Sequence, residues 1–530
     1  MTALASRVLE LLPNARMHKE DPDDRHVIVW GPPGTGKTQS LSTLLDAHLR
    51  AGHAPGSLLV NAFTRNATAE LRRRLRQEHG IEEFEMPWVR TVHSSCFKLL
   101  GLRSDQVVGP RSLRLFADAT GYELKGVLAQ RSLEDPYGGV AVATLGDWCY
   151  AAEELRRARR LTTEELVAGL RPPPVALGWD LDVARDFSFV YDRWKRESKL
   201  WDFTDMLERV LAEQLRPPVE TLFIDECQDL TPLQWAVVDL WAADGARLFQ
   251  FGDDDQSVFE FVGADPAALW RRPGHQFVLT HSYRLPAAIL AEGRRLSRRL
   301  SAGVRKDFEP RDDGGVVRRV WDWRDFDFHE PGTHLLLVRN RAFLDELRTH
   351  LLHSAVPFRD RTSDAGVPDA DSAIGMAIAT LVRLCAGQPV SRGRLRQLRS
   401  QVPERLWPEP VGSGGAQALA DLPIELADLI RESPLLTLEL PRGQRDYLAA
   451  VSRQHDLSAL TEQPRIELAT IHGVKGEEAD HVACAVAMTG RTHEEYVERP
   501  DPEHRVFYVA GTRARQSLTW VLSSGRGYWL

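Results

Sequence analysis

The chain has 530 residues, a length typical of about three or four domains. Its net charge of −8 and its 43% hydrophobic content exclude a histone-like protein with a uniformly basic surface and a disordered chain. No apolar stretch approaches the roughly 20 residues of a membrane helix, the N-terminus lacks a signal-peptide core, and the five cysteines show no metal-ligand spacing. We therefore expect a cytoplasmic protein with reduced cysteines and no membrane partner.

Short apolar segments bounded by turn residues predict β-strands along most of the chain. Several are continuous hydrophobic runs, which are typical of parallel strands buried on both faces. Helical patterns lie between them, as at Ala67–Glu78 and Arg341–His353, so we expect an α/β fold with mostly parallel sheets. The predicted strands are His26–Trp30, Leu58–Phe63, Leu222–Asp225, Leu248–Phe251, Gln276–Thr280, Leu335–Val338, Ile466–Ile471 and Val482–Met488.

Two mainly helical regions interrupt this alternation, at about residues 92–218 and 363–464. The pattern predicts two α/β cores, each carrying a helical insertion. The first insertion contains an arginine cluster between Arg156 and Arg160. Such a cluster can contact phosphates or can simply form a solvated helix face, and the sequence leaves both open.

A phosphate-binding loop follows the first of these strands. The segment Gly31–Thr38 has the pattern GxxxxGK[ST] between a strand and a helical pattern. Its glycines let backbone N–H groups close around phosphate oxygens at the start of a helix. Lys37 can reach the β- and γ-phosphates and Thr38 can ligate Mg²⁺, whereas a chance glycine-rich turn is the alternative.

An acidic pair, Asp225-Glu226, stands at the carboxyl end of another predicted strand. There, one carboxylate can support a Mg²⁺ ion and the other can activate water. Alone, such a pair is often a helix N-cap or a solvated turn. Together with the phosphate-binding loop it indicates an NTPase.

Other short motifs indicate which kind of NTPase this is. In chain order they are Ala62-Phe63-Thr64-Arg65-Asn66-Ala67, Thr91-Val92-His93-Ser94, Trp201-Asp202-Phe203-Thr204-Asp205, Asp225-Glu226-Cys227-Gln228-Asp229, Gly252-Asp253-Asp254-Asp255-Gln256-Ser257, Ser282-Tyr283-Arg284, Thr470-Ile471-His472-Gly473-Val474-Lys475-Gly476-Glu477-Glu478 and Phe507-Tyr508-Val509-Ala510-Gly511-Thr512-Arg513-Ala514-Arg515. With them the sequence resembles the UvrD/Rep-type superfamily 1A DNA helicases over nearly its whole length.

The resemblance implies two RecA-like parallel-sheet domains with ATP hydrolysis, supported by Mg²⁺, in the cleft between them. By it we expect the first domain, 1A, at residues 1–90 and 219–279, its insertion 1B at 91–218, the second domain, 2A, at 280–362 and 465–530, and a reduced insertion 2B at 363–464. It also implies 3′→5′ movement on single-stranded DNA and unwinding of 3′-tailed duplex DNA, with a protein partner or self-association on DNA as further expectations. Ser257 after Gln256, and Lys475 before Gly476, resemble the 3′→5′ branch.

The resemblance also assigns roles to individual residues, and it brings Arg284 and Arg513 in from the second core domain. Without their motifs, an arginine would be read as a surface residue and a phenylalanine as core. The implied catalytic residues are Lys37, Asp225, Glu226, Gln256, Arg284 and Arg513. The implied nucleotide-binding residues are Gly34, Thr35, Gly36, Lys37, Thr38, Gln39, Tyr283 and Glu478, and the implied Mg²⁺ ligands are Thr38 and Asp225. DNA contacts fall on Phe63, Thr64, Thr91, His93, Phe203, Phe259, Phe261 and His472.

The sequence departs from the family pattern at several positions. Residues 1–25 contain no glutamine to read adenine, and Gln39, Val262 and Glu477 stand where the family usually has Arg, Arg and Leu. The second insertion is also short. A second function therefore stays open, in which the chain is a DNA-sensing ATPase subunit that recruits or activates a partner without productive unwinding.

Overall fold

The computed structural model describes residues 2–21, 23–61, 65–128, 142–363, 365–408, 411 and 419–530, with the side chains of 65–67 and 70 excluded. The chain divides into two compact units. The first comprises Met1–Asp313 and Pro500–Val509, and the second Gly314–Arg499 and Ala510–Leu530. The expected division into four domains stays a prediction, although residues 280–313, expected in the second core domain, group here with the first unit.

The first unit is built on a mostly parallel sheet, as expected. The described strands form a seven-stranded sheet in the order β1-β7-β2-β6-β5-β3-β4, and β1 is antiparallel to β7. The central strands are hydrophobic at almost every position because helices cover both faces of the sheet. The strands are β1 (Ala15–Lys19), β2 (His26–Trp30), β3 (Leu58–Asn61), β4 (Val89–Arg90), β5 (Thr221–Ile224), β6 (Arg247–Gly252) and β7 (His275–Leu279).

Helices of the first unit follow the strands and fill the long connection between β4 and β5. They are α1 (Ala3–Leu11), α2 (Lys37–Arg50), α3 (Arg65–His79), α4 (Val92–Leu99), α5 (Pro110–Thr120), α6 (Lys125–Leu128), α7 (Leu145–Arg159), α8 (Thr163–Gly169), α9 (Leu181–Ser198), α10 (Phe203–Ala212), α11 (Pro232–Ala242), α12 (Pro266–Trp270) and α13 (Ala287–Ser297). The connection therefore contains the predicted helical insertion, α4 to α10.

The second unit contains another parallel sheet. Its described strands run in the order β10-β11-β9-β12-β13-β8. The strands are β8 (Val316–Val320), β9 (His334–Val338), β10 (Phe358–Asp360), β11 (Ile466–Thr470), β12 (Ala479–Ala485) and β13 (Ala514–Val521). The helices of this unit are α14 (Leu344–His353), α15 (Ala373–Cys385), α16 (Arg392–Arg399), α17 (Ile424–Glu432), α18 (Arg442–His455) and α19 (Gly490–Glu498). The last helix, α20 (Pro500–Gly511), groups with the first unit except for its final two residues. Within the described ranges, no helix has the length and apolar character needed to cross a membrane.

Buried charges hold the helical insertion together. The Arg157 guanidinium, near the end of α7, donates to Asp202 at 2.9 Å and to Asp205 at 2.5 Å. The Lys195 ammonium of α9 donates to the same two carboxylates, which form the N-terminal capping box of α10. Both alternatives for the arginine cluster are therefore wrong for Arg157, which is buried and links α7 to α10.

We expect Asp202→Asn to destabilise the protein strongly. Burial would raise the pKa of Asp202, but Arg157 and Lys195 lower it to about 2. Its carboxylate therefore contributes stability that is complete above the usual pKa of 3.8 and is lost as the pH falls towards 2. Removing one partner of a buried ion pair costs about 3–5 kcal/mol.

Urea unfolding at pH 7, followed by tryptophan fluorescence, measures this loss. The matched control is Asp192→Asn on the same insertion, because Asp192 forms an exposed i,i+4 pair with Arg196. An exposed pair contributes about 1 kcal/mol or less. Equal losses in the two variants would contradict a structural role for the buried charges.

Candidate functional site

The candidate site lies where four neighbouring strands of the first sheet end. Strands β7, β2, β6 and β5 are adjacent in that order, and β2, β6 and β5 are parallel to one another. Their carboxyl ends therefore meet at one edge, which is where open α/β sheets bind ligands. The segments that follow these strands carry most of the residues expected at a nucleotide site.

The loop after β2 has the geometry of a phosphate cradle. It leads directly into α2, and Gly34 and Gly36 adopt the left-handed conformation with φ of +71° and +84°. At Gly34 a Cβ atom would lie 2.3 Å from the Cβ of Arg284, so a side chain there has no room. Buried Thr35 fixes the loop by donating its hydroxyl to the carbonyl of Pro32 at 2.7 Å.

Lys37 and Thr38, at the start of α2, face the acidic pair that follows β5. The Lys37 ammonium donates to the Gly31 carbonyl at 3.0 Å and lies 3.4 Å from a carboxylate oxygen of Glu226. The Thr38 hydroxyl is 3.5 Å from a carboxylate oxygen of Asp225. The structure thus brings together the four residues that the two motifs predicted to act on a phosphate chain.

These residues fit a nucleotide with its metal ion. Burial and the neighbouring Glu226 raise the pKa of Asp225 to about 7, so this carboxylate is short of compensating positive charge. A cation beside Asp225 and the Thr38 hydroxyl would supply that charge, and oxygen ligands are those that Mg²⁺ prefers. Phosphate groups would meet the Lys37 ammonium and the backbone N–H groups at the start of α2.

Glu226 has a constrained backbone and a fixed side chain. Its φ of +49° is unusual for a residue with a Cβ, and such strain is often found at active sites. The Gln228 amide donates to Glu226 at 2.6 Å, and its carbonyl oxygen accepts from the backbone N–H of Asp253 at 3.0 Å. Because both ends of the amide are engaged, Gln228 connects the acidic pair after β5 to the segment after β6.

The segment after β6 carries three consecutive aspartates and Gln256. The side-chain amide of Gln256 donates to Asp253 at 2.7 Å. All three aspartates lie within ion-pair distance of the Lys306 ammonium, at 2.8 Å for Asp253 and 3.2 Å for Asp255. Gln256 is therefore hydrogen-bonded to a buried charge cluster, which lies at the same sheet edge as the phosphate cradle.

Residues 282–284, after β7, lie directly against the phosphate cradle. The Ser282 hydroxyl donates to the Pro33 carbonyl at 2.9 Å, and the backbone N–H of Tyr283 donates to the Gly34 carbonyl at 2.8 Å. The Tyr283 ring is 58% exposed, as a base-stacking residue would be. Arg284 groups with the first unit, whereas its expected origin in the second core domain stays a prediction.

Gln39 stands in the first turn of α2, where the family usually has arginine. Its side-chain oxygen accepts from the Arg74 guanidinium of α3 at 3.5 Å. The structure thus places an arginine of another helix beside the position that lacks one.

Three of the predicted DNA contacts lie around α4 and α10. Thr91 is the N-cap of α4, and the rings of His93 and Phe203 meet edge to face at 5.7 Å. Burial lowers the pKa of His93 to about 4, so its imidazole is neutral at physiological pH and adds no positive charge for a phosphate. The predictions for Phe63 and Thr64 lie outside the described residues.

The two phenylalanines after Gln256 have opposite environments. Phe259 is 0% exposed, so it cannot stack on a base in this conformation, whereas Phe261 is 47% exposed. Their rings are 6.1 Å apart. Next to Phe261, the carbonyl of Glu260 accepts from Arg159 of α7 at 2.6 Å. Phe261 is thus an exposed aromatic ring on a turn held by the helical insertion.

In the second unit, the predicted residues lie at both edges of the sheet. Glu478 and Arg513 immediately precede β12 and β13, whereas His472 follows β11 at the opposite, carboxyl edge. Arg513 is buried and donates to the Glu477 carbonyl at 3.2 Å. Burial lowers the pKa of His472 well below its usual value, so it is neutral. Glu478 pairs with Arg515 at 3.3 Å.

Sequence reasoning missed three residues that shape the site. Gln228 and Ser282 lie within motifs of the sequence, but the motifs assign no role to either side chain. Lys306 carried no signal at all, because it occurs in a polar segment and its partners lie about fifty positions earlier. Only the folded chain shows what these side chains hold.

Two family descriptions match the chain. Residues 16–262 match a family described as an AAA domain, and residues 425–525 match the UvrD-like helicase C-terminal domain. The first match includes the phosphate cradle and the segments after β5 and β6. The second includes the strands β11 to β13 and the residues between them.

Some curated relatives are similar over nearly the whole chain and others over about half of it. It is 26% identical to the ATP-dependent DNA helicase UvrD2 of Mycobacterium tuberculosis, over 94% of this chain and 77% of that protein. It is 23% identical to DNA helicase II of Escherichia coli, over 94% of this chain and 83% of that protein. The putative ATP-dependent DNA helicase YjcD of Bacillus subtilis is 27% identical over 46% of this chain and only 32% of its own length.

We expect Glu226→Gln to keep ATP binding and to lose turnover. The amide keeps the size of the side chain but cannot accept a proton, and a general base contributes about 10²–10⁴ in rate. Equilibrium binding of a fluorescent ATP analogue and steady-state phosphate release measure the two effects. The matched control is Glu220→Gln, an exposed carboxylate just before β5, which should leave both unchanged. Turnover near the wild-type rate in Glu226→Gln would remove it from the catalytic role.

Proposed function

Because the chain belongs to the UvrD/Rep-type family of superfamily 1 DNA helicases, we propose that it hydrolyses ATP at the edge of its first sheet and uses the energy to move along single-stranded DNA. It moves 3′→5′ and separates the strands of 3′-tailed duplex DNA. The observation that carries this proposal is the juxtaposition of Lys37 and Thr38 with Glu226 and Asp225.

Within the proposed reaction, each residue has a distinct task. Lys37 holds the β- and γ-phosphates, and its ammonium then leaves its contact with Glu226. Glu226 accepts the proton of the attacking water. Thr38 and Asp225 would hold Mg²⁺, which would supply positive charge to the phosphates. Gln228 keeps the Glu226 carboxylate in place through its 2.6 Å hydrogen bond. By the resemblance, Gln256 senses the γ-phosphate, and Tyr283 offers its exposed ring to the base.

Single-stranded DNA is the proposed track of the motor. A translocating protein has to hold any sequence, and stacking of bases on aromatic rings meets this need because every base has a π-face. Phe261 is exposed and follows Gln256 by five residues. The proposed contact with the γ-phosphate and the proposed contact with DNA therefore lie in one short segment. The direction of movement is supported by the resemblance of Ser257–Phe259 and of Lys475-Gly476 to the 3′→5′ branch.

We expect Phe261→Ala to weaken DNA-stimulated ATP hydrolysis without changing stability. Loss of stacking costs about 1–3 kcal/mol per base, so the DNA concentration for half-maximal stimulation should rise roughly 5- to 150-fold. Phe259→Ala is the matched control, because the same truncation in a fully buried ring should cost about 3–5 kcal/mol of folding stability. A thermal midpoint that falls equally in both variants would show that Phe261 is a core residue.

The direction and the output of the motor are tested by strand displacement. With ATP, the protein should release the labelled strand from a 3′-tailed duplex but not from a 5′-tailed or blunt duplex. Lys37→Ala should abolish release and ATP hydrolysis together. Hydrolysis stimulated by DNA without release from any substrate would contradict the helicase and favour a DNA-sensing ATPase subunit. Release from only the 5′-tailed duplex would contradict the proposed direction.

A further inference from the structure

Lys306 is a buried cation outside every motif that the proposed function uses. Its side chain is 2% exposed, and its ammonium lies 2.8 Å from Asp253 and 3.2 Å from Asp255, with Asp254 closer still. The ring of Trp30, at the end of β2, lies 5.8 Å from the same ammonium. Although burial alone would lower the pKa of Lys306, the three carboxylates hold it well above its usual value, so it is charged.

One carboxylate of this cluster is shared between Lys306 and Gln256. The Oδ1 atom of Asp253 faces the ammonium, whereas its Oδ2 atom accepts the side-chain amide of Gln256 at 2.7 Å. Asp254 has other partners, since it also accepts from the Trp270 indole at 2.7 Å and from the backbone N–H of Val304 at 2.9 Å. Asp253 is therefore the member through which the charge of Lys306 reaches the proposed γ-phosphate sensor.

The electrostatics make Lys306 necessary for this arrangement. The three carboxylates could surround a cation, because ligand oxygens of all three lie within 4.8 Å of one another. Without the ammonium, that much buried negative charge has to take up protons or move apart. A displaced Asp253 no longer offers a fixed acceptor to the Gln256 amide. The backbone N–H of Asp253 that bonds Gln228 does not depend on this charge in the same way.

We propose that Lys306 is a positioning residue for ATP hydrolysis, which fixes the side chain of Gln256 through Asp253. The inference rests on the proposed function. Lys306 touches neither nucleotide nor DNA in this proposal. Its effect should therefore appear in kcat rather than in the KM for ATP, since the phosphate cradle at Gly31–Thr38 is built without it.

A double-mutant cycle between Lys306→Met and Gln256→Ala tests the proposal. Misplacement of a catalytic group by about 1 Å can cost up to about 100-fold in rate, so Lys306→Met should lower kcat for DNA-stimulated hydrolysis roughly 10- to 100-fold. The KM for ATP should change less than about threefold. In the Gln256→Ala background, Lys306→Met should lower kcat by less than about twofold, because the side chain through which Lys306 acts is absent.

Lys195→Met supplies the matched control, because Lys195 is also a buried ammonium between two aspartates, with its side chain 4% exposed. Any loss it causes should be the same with and without Gln256. If Lys306→Met does not fold, Lys306→Met/Asp255→Asn removes one positive and one negative charge, and thermal melting checks its fold. This second variant should show the same loss of kcat and the same dependence on Gln256.

Two results would overturn the inference. Losses from Lys306→Met and Gln256→Ala that multiply would show that the residues act independently. A folded Lys306→Met/Asp255→Asn variant with the wild-type kcat would show that the ammonium has no influence on turnover. Wild-type protein without DNA-stimulated hydrolysis would instead contradict the proposed function itself, so the two failures can be told apart.

Discussion

Buried carboxylates need compensating charge, and the first unit of this protein meets that requirement in different ways at different places. Asp202 and Asp205 are paired with Arg157 and Lys195, so the helical insertion carries its own cations. Asp225 has the Thr38 hydroxyl and the backbone N–H of Glu226 as partners instead, and its pKa rises to about 7. A buried carboxylate that is paired with a cation of the protein holds the fold together, whereas one that is short of positive charge favours binding of a cation from solution.

The sheet edge at which these strands end brings together residues from distant parts of the sequence. Because β7, β2, β6 and β5 are neighbours, the segments after them lie within hydrogen-bond reach although they are far apart in the sequence. Gln228 joins two of these segments, and Ser282 joins a third to the phosphate cradle. Together with the contact between Lys37 and Glu226, these hydrogen bonds connect the segments after all four strands.

The sequence predicted most of the buried strands and the phosphate cradle, because both depend on local pattern. His26–Trp30 is a continuous apolar run, and the cradle follows at fixed spacing. The strands it missed are β1, β4, β8 and β10, which lie at sheet edges and pair with a single neighbour, and β13, which is mostly buried between β12 and β8. Edge strands are short or polar, as Ala15–Lys19 is, so their hydrophobic signal is weak. The roles of Lys306 and Arg157 could not be predicted, because they depend on carboxylates that only the fold brings near.

Glu477 shows how the fold absorbs a departure from the family pattern. An acidic residue in place of leucine would repel the neighbouring Glu478 unless its charge were held elsewhere. Arg361, just after β10, donates to Glu477 at 2.5 Å and to Glu467 of β11 at 2.7 Å, and Glu478 pairs with Arg515 instead. The two adjacent carboxylates are thus drawn to different arginines. The substitution therefore adds a negative charge that Arg361 pairs, while Glu478 keeps its own partner at the amino edge of the second sheet.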